Sequence, residues 1–118
     1  MKVNLNSFEK LNRKKARALE DGEISIAQTC FSMHKNIAKD FVKYVQIYLD
    51  KKNNRVILKK GYDLLDGFKI RNNKDSKNYV TQATTFAKIS KKGIFKGTKI
   101  KEGWLFEGVL LNESEDLQ

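Results

Sequence analysis

The chain has 118 residues, 40% of them hydrophobic, with no proline, seven glycines and a net charge of +10. That is the length of one domain with apolar content for a modest core. It excludes a disordered linker, and no apolar run approaches the roughly 20 residues of a membrane span. All 24 Lys and Arg lie in residues 1–106 with only ten acids, a net +14, whereas residues 107–118 carry four acids and no base; a basic body of this kind suits a polyanion ligand.

In chain order, the opening MKVNLNSFEK has no apolar stretch to serve as a leader, so a cytoplasmic location is expected. Residues 7–20 read as a helix, with Asn6 and Glu9 as a capping box and Asp21-Gly22 as a stop; Lys10, Arg13, Lys14, Lys15 and Arg17 make it basic. Two strands follow, the first with Ile24 and Ile26 on one face, the second with Phe31 and Met33. Cys30 and His34 are the only cysteine and histidine. They permit no disulfide within the chain and no zinc site of their own, and they read as a strand thiol and a polar helix start rather than a nucleophile and base.

Residues 34–41 read as a short helix with Ile37, Ala38 and Phe41 inward. KYVQIYLD (43–50) then alternates, with Val45, Ile47 and Leu49 to one side and Tyr44, Gln46 and Tyr48 to the other. After the turn Lys51-Lys52-Asn53-Asn54, RVILKK (55–60) returns with Val56 and Leu58 inward, the strongest hairpin pattern in the chain. In the loop YDLLDG, Asp63 and Asp66 read as turn and cap residues rather than metal ligands. GFKIR (67–71) is a strand with Phe68 and Ile70 inward, NNKDSKN a polar loop, YVTQ (79–82) a strand, and ATTFAKIS (83–90) a short helix. KKGIFKG (91–97) reads as a basic glycine-bearing loop, TKIKEGW and FEGVLL as a last hairpin, and residues 112–118 as a flexible acidic tail able to meet a protein partner.

The expected fold is therefore α+β, ordered ββα-ββββα-ββ behind an N-terminal helix: one basic nucleic-acid-binding domain over 1–111, built as two antiparallel sheets with short helices. It reads as a pseudo-repeat with halves at about 23–60 and 67–111. Ile24-Ser25-Ile26 parallels Phe68-Lys69-Ile70, Phe31-Ser32-Met33 parallels Tyr79-Val80-Thr81, and Ile37-Ala38 parallels Phe86-Ala87; Ile47, Val56 and Leu58 recur at Ile100, Val109 and Leu111 with a constant offset of 53.

The strand-to-helix stretches YVTQATTFAKI and CFSMHKNIAKDF resemble the junction of the whirly and positive-cofactor-4 family. That resemblance implies paired antiparallel sheets that bind single-stranded DNA. The run from EISIAQTCFSM to RVILKK is also similar to the strand, strand, helix, hairpin order of the AbrB and MraZ swapped-hairpin binders, which implies a sequence-specific duplex regulator.

Alternating aromatic and basic side chains on strand faces suit single strands, because every base offers a π-face and lysines neutralise the phosphates. The candidate surface is Tyr44, Tyr48, Arg55 and Lys59 with Lys69 and Arg71; a second comprises Lys99, Lys101 and Trp104 with Lys91, Lys92 and Lys96. GxxxxGK[ST], HExxH, GxSxG and CxxC are all absent, so no enzyme, metal or cofactor is expected. The expected partner is single-stranded DNA, with RNA or duplex DNA as variants, bound by a homo-oligomer because short open sheets leave edges to pair. A phage inhibitor whose positive surface meets an acidic protein is a third reading, in keeping with a Lys-, Asn- and Ile-rich phage or bacterial composition.

Overall fold

A computed structural model describes residues 3–7, 18–72 and 78–111. The chain is α+β and rich in strands, with nine strands and two short helices among those residues: β1 (Glu23–Ile26), β2 (Cys30–Met33), α1 (Lys35–Phe41), β3 (Tyr44–Asp50), β4 (Arg55–Gly61), β5 (Phe68–Asn72), β6 (Tyr79–Gln82), α2 (Thr84–Lys88), β7 (Gly93–Lys96), β8 (Thr98–Ile100) and β9 (Gly103–Glu107). Most of the expected helix over 7–20, and its basic side chains, lies outside the described residues. Leu5–Ser7 forms a 3-10 turn, residues 18–20 are not helical, and Leu19 is buried.

Every strand joins one antiparallel sheet in the order β7-β1-β2-β6-β5-β3-β4-β9-β8, rather than two separate ones. Its two edge strands are successive pieces of chain separated only by Gly97, so the sheet nearly closes on itself. A Cβ at Gly97 would stand 2.6 Å from two ring carbons of the fully buried Phe106. Only glycine lets the chain pass there. The Gly97 amide donates to the Gly22 carbonyl at 2.8 Å, which ties the crossing to the start of β1.

The alternating pattern explains the core. Ile24, Phe31, Met33, Val45, Val56, Leu58 and Phe106 point to one side of the sheet and are buried. Ile37, Ala38 and Phe41 of α1 join them, as do Phe86 and Ala87 of α2, with Phe86 edge-on to Phe31 at 5.5 Å. Asn54 ends the β3–β4 turn and bonds Leu110 in both directions, through its Nδ2 to the carbonyl and its Oδ1 from the amide, which pins the chain beyond β9.

Three expectations are corrected. KKGIFKG is not all loop: Gly93–Lys96 is β7, because Phe95 lies opposite Ile24 and packs on the core. The last hairpin turns at Lys101-Glu102, so Trp104 lies on the return strand and Val109 and Leu111 lie beyond it; the offset of 53 therefore does not map strand onto strand. Phe68 is 39% exposed rather than inward, since it sits at the start of β5, at the rim of the core.

Candidate nucleic-acid interface

Antiparallel partners share a face, and residues two apart on a strand share it too. Tyr44 lies opposite Lys69, Gln46 opposite Lys59, Tyr48 opposite Ile57 and Asp50 opposite Arg55. Hence Tyr44, Tyr48, Arg55, Lys59, Lys69 and Arg71 all stand on the outer face of β5-β3-β4, away from the Val45, Val56 and Leu58 core. The structure puts this whole expected group on one face, with Tyr48 and Arg55 towards the β3–β4 turn and Lys69 and Arg71 towards the other end of β3.

Its members differ in freedom. Tyr48 is half exposed, and the Lys59 ammonium sits 5.2 Å from its ring centroid, a cation–π contact. The Tyr48 hydroxyl donates to Gln46 Oε1 at 3.1 Å, which holds the ring. Tyr44 is half buried. Arg55 is bound to Asp50 at 2.7 Å. Hydrogen bonds from the Asn53 side chain, Arg55 and the Asn53 amide hold the Asp50 carboxyl down to about 2. Lys69 and Arg71 are exposed.

The second expected surface is not brought together. Trp104 is buried, and its indole Nε1 donates to Asp40 Oδ2 on α1 at 2.9 Å; it packs in the core and offers no open ring face. Lys99 lies opposite Trp104 on that helix side and pairs with Asp40 at 3.2 Å. Partial burial acts to raise the Asp40 carboxyl, but the bonds from Trp104 and Lys99 hold it below its ordinary value. Lys92 donates to the Ala87 and Ser90 carbonyls at the end of α2. Lys91 is exposed beside it, Lys96 is on β7 opposite Glu23, and Lys101 is in the β8–β9 turn. Lys99 and Lys92 thus have partners of their own, and the buried Trp104 gives these lysines no ring to share a surface with.

Asp63 and Asp66 brace their loop. Asp66 Oδ1 accepts from the Tyr62 and Asp63 amides, and Asp63 Oδ1 accepts from the Leu65 and Asp66 amides. Those two amide bonds, Tyr62 first, hold the Asp66 carboxyl below its ordinary value. Gly67 closes the loop against β3, where a Cβ would come within 2.9 Å of the Val45 carbonyl oxygen. His34 caps α1, its Nδ1 accepting from the Asn36 amide at 3.1 Å.

Sequence reasoning missed the cleft beside that loop. It measures about 470 Å³ and is lined by Leu64, Leu65, Asp66, Gly67, Phe68, Lys69, Arg71 and Gln82. The available signal was the pair of leucines between two aspartates and a glycine, a place where apolar residues have no core to enter. No group of three or more potential metal ligands occurs among the described residues, and no helix there is long and apolar enough to cross a membrane. No protein-family model, curated protein or solved structure matches the chain.

Proposed function

We propose that this is a non-enzymatic, sequence-tolerant single-stranded DNA-binding protein that lays its ligand across the outer face of β5-β3-β4. One observation carries the reading: Tyr44, Tyr48, Lys59, Lys69 and Arg71 share one face of adjacent strands, so aromatic and cationic groups alternate over a continuous surface. Bases stack on tyrosine without regard to sequence, and the cations beside them neutralise phosphates. Affinity for a single-stranded oligonucleotide is expected to exceed that for the duplex and to fall steeply with salt. Lys69→Ala and Arg71→Ala each shrink the salt slope by about 0.7. Tyr48→Ala weakens binding by about 1–3 kcal/mol, and Lys35→Ala, on the exposed start of α1, changes nothing. Gel shifts with single- and double-stranded oligonucleotides at two salt concentrations decide it; duplex bound as tightly as single strand overturns it.

A second reading has its own support. The chain's four hairpins interleave around the sheet. β1-β2 is followed by β6-β5, then β3-β4, then β9-β8, so first-half and second-half hairpins alternate. In two of the cross-half ladders, β2-β6 and β4-β9, the pairs are reciprocal at an offset of 48. Phe31 pairs with Thr81 and Met33 with Tyr79; Val56 pairs with Phe106 and Leu58 with Trp104. This supports a pseudo-repeat with the swapped-hairpin order of the AbrB and MraZ binders, in which one chain supplies what two supply in a homodimer. On that reading the ligand is a specific duplex, and base changes within a preferred site cost about 1–3 kcal/mol each.

A further inference from the structure

Four of the large apolar side chains left exposed fall within seven residues: Tyr62, Leu64, Leu65 and Phe68, with Leu65 97% exposed. They stand on a braced frame. The Asp63 and Asp66 carboxylates bond four loop amides, the Gly67 amide donates to the Asp63 carbonyl at 3.1 Å, and Gly67 abuts β3. The hydrogen bonds that brace the loop come from its carboxylates and backbone, while Leu64 and Leu65 are left exposed. Held in water at fixed positions, they form one wall of the cleft.

The rest of the cleft narrows what they meet. Phe68 supplies a ring, Gln82 an amide with both donors and an acceptor, and Lys69 and Arg71 two cations. Asp66, the one anion among the described lining residues, has its Oδ1 bound by loop amides. At about 470 Å³ the cleft has the size of a small-ligand site. A fitting ligand has an apolar face, a hydrogen-bonding edge and negative charge close by. An unpaired base with its flanking phosphates meets all three needs, and Lys69 and Arg71 already belong to the strand face described above.

We infer that this cleft seats one unpaired nucleobase of the bound strand. The base lies against Leu64, Leu65 and Phe68, its edge bonds the Gln82 amide, and its neighbouring phosphates reach Lys69 and Arg71. The inference rests on the single-strand reading and deepens it: a strand crossing β4 and β3 runs on over β5 into the cleft.

The experiment titrates two labelled probes of equal length, an oligothymidylate and an abasic oligomer with the same phosphates, into the full chain and into Leu65→Ser and Phe68→Ala. Leu65→Ser changes a side chain standing almost wholly in water, so it reads the site without disturbing the core. Each variant is expected to lose about tenfold affinity for oligothymidylate, within the range of one stacked base, and none for the abasic oligomer. Unchanged affinity for both probes, or an equal loss for both, overturns the inference and leaves the single-strand reading standing. A wild-type chain that binds neither probe overturns both. Tight capture of an acidic, leucine-bearing peptide that oligothymidylate fails to displace assigns the cleft to a protein and overturns the inference as well.

Discussion

Thr81 is fully buried on β6, opposite Phe31 on one side and Ile70 on the other, and its hydroxyl meets no partner among the described residues. An orphaned buried hydroxyl costs more than a methyl of the same shape. Thr81→Val is therefore expected to raise stability by about 1 kcal/mol, read as a higher urea midpoint with an unchanged slope; a lower midpoint would mean that the hydroxyl is bonded after all. Asp50 is the opposite case, a half-exposed carboxylate served by Asn53 and Arg55 at the β3–β4 turn. Its pKa falls from 3.8 to about 2 on folding. A depressed carboxylate stabilises the fold above its unfolded pKa, and that contribution fades as pH drops through the folded one. The wild-type chain should thus exceed Asp50→Asn by a constant margin from neutral pH down to about 5, and the margin should shrink as pH approaches about 2. Thermal melts across that range measure it, and a margin flat to the acid end would remove the assignment.

At the scale of elements, the crossing from β7 to β8 leaves no room for a side chain. Gly97→Ala would push a methyl into the buried Phe106 ring, which has no open space to move into, at a cost of about 1–3 kcal/mol. Phe106→Leu trims that ring, so the double variant should lose less than the two single losses together, a coupling that chemical melts resolve. These elements also show what the sequence makes legible. The β3–β4 hairpin was readable because its seven-residue strands alternate and a Lys-Lys-Asn-Asn turn separates them, and with it came Tyr44, Tyr48 and Lys59 on one face. β7 was not readable, because only Ile94 and Phe95 stand between lysines and glycines; its strand character comes from pairing with β1, a partner about 70 residues away. Trp104 misled for the same reason. Its place depends on where the β8–β9 hairpin turns and on Asp40 of α1, 64 residues distant. The exposed leucines of the Tyr62–Gly67 loop were not readable as a surface, because the loop is braced by aspartate bonds to its own amides, which no apolar pattern signals.

At the scale of the whole molecule, long-range pairing decides how the chain folds. Among the described residues, only β1-β2 and β3-β4 pair within 23–61, and only β5-β6 and β8-β9 within 68–107. The four remaining ladders, β1-β7, β2-β6, β3-β5 and β4-β9, each join one half to the other. The core is shared likewise: Val56 and Leu58 face Phe106 and Trp104 across β4-β9, and Phe31 packs edge-on to Phe86. Two isolated hairpins make a marginal sheet at best, so neither half should fold alone. The exposed loop between β4 and β5 is the natural place to cut, since new termini between Leu64 and Leu65 sever no ladder and bury no charge. Co-expressed fragments 1–64 and 65–118 are expected to copurify as a one-to-one complex with the far-ultraviolet spectrum of the intact chain, and each expressed singly to be unfolded or aggregated. A folded, monomeric single fragment would show that one half forms its own core, and would count equally against the interleaved order and the pseudo-repeat built on it.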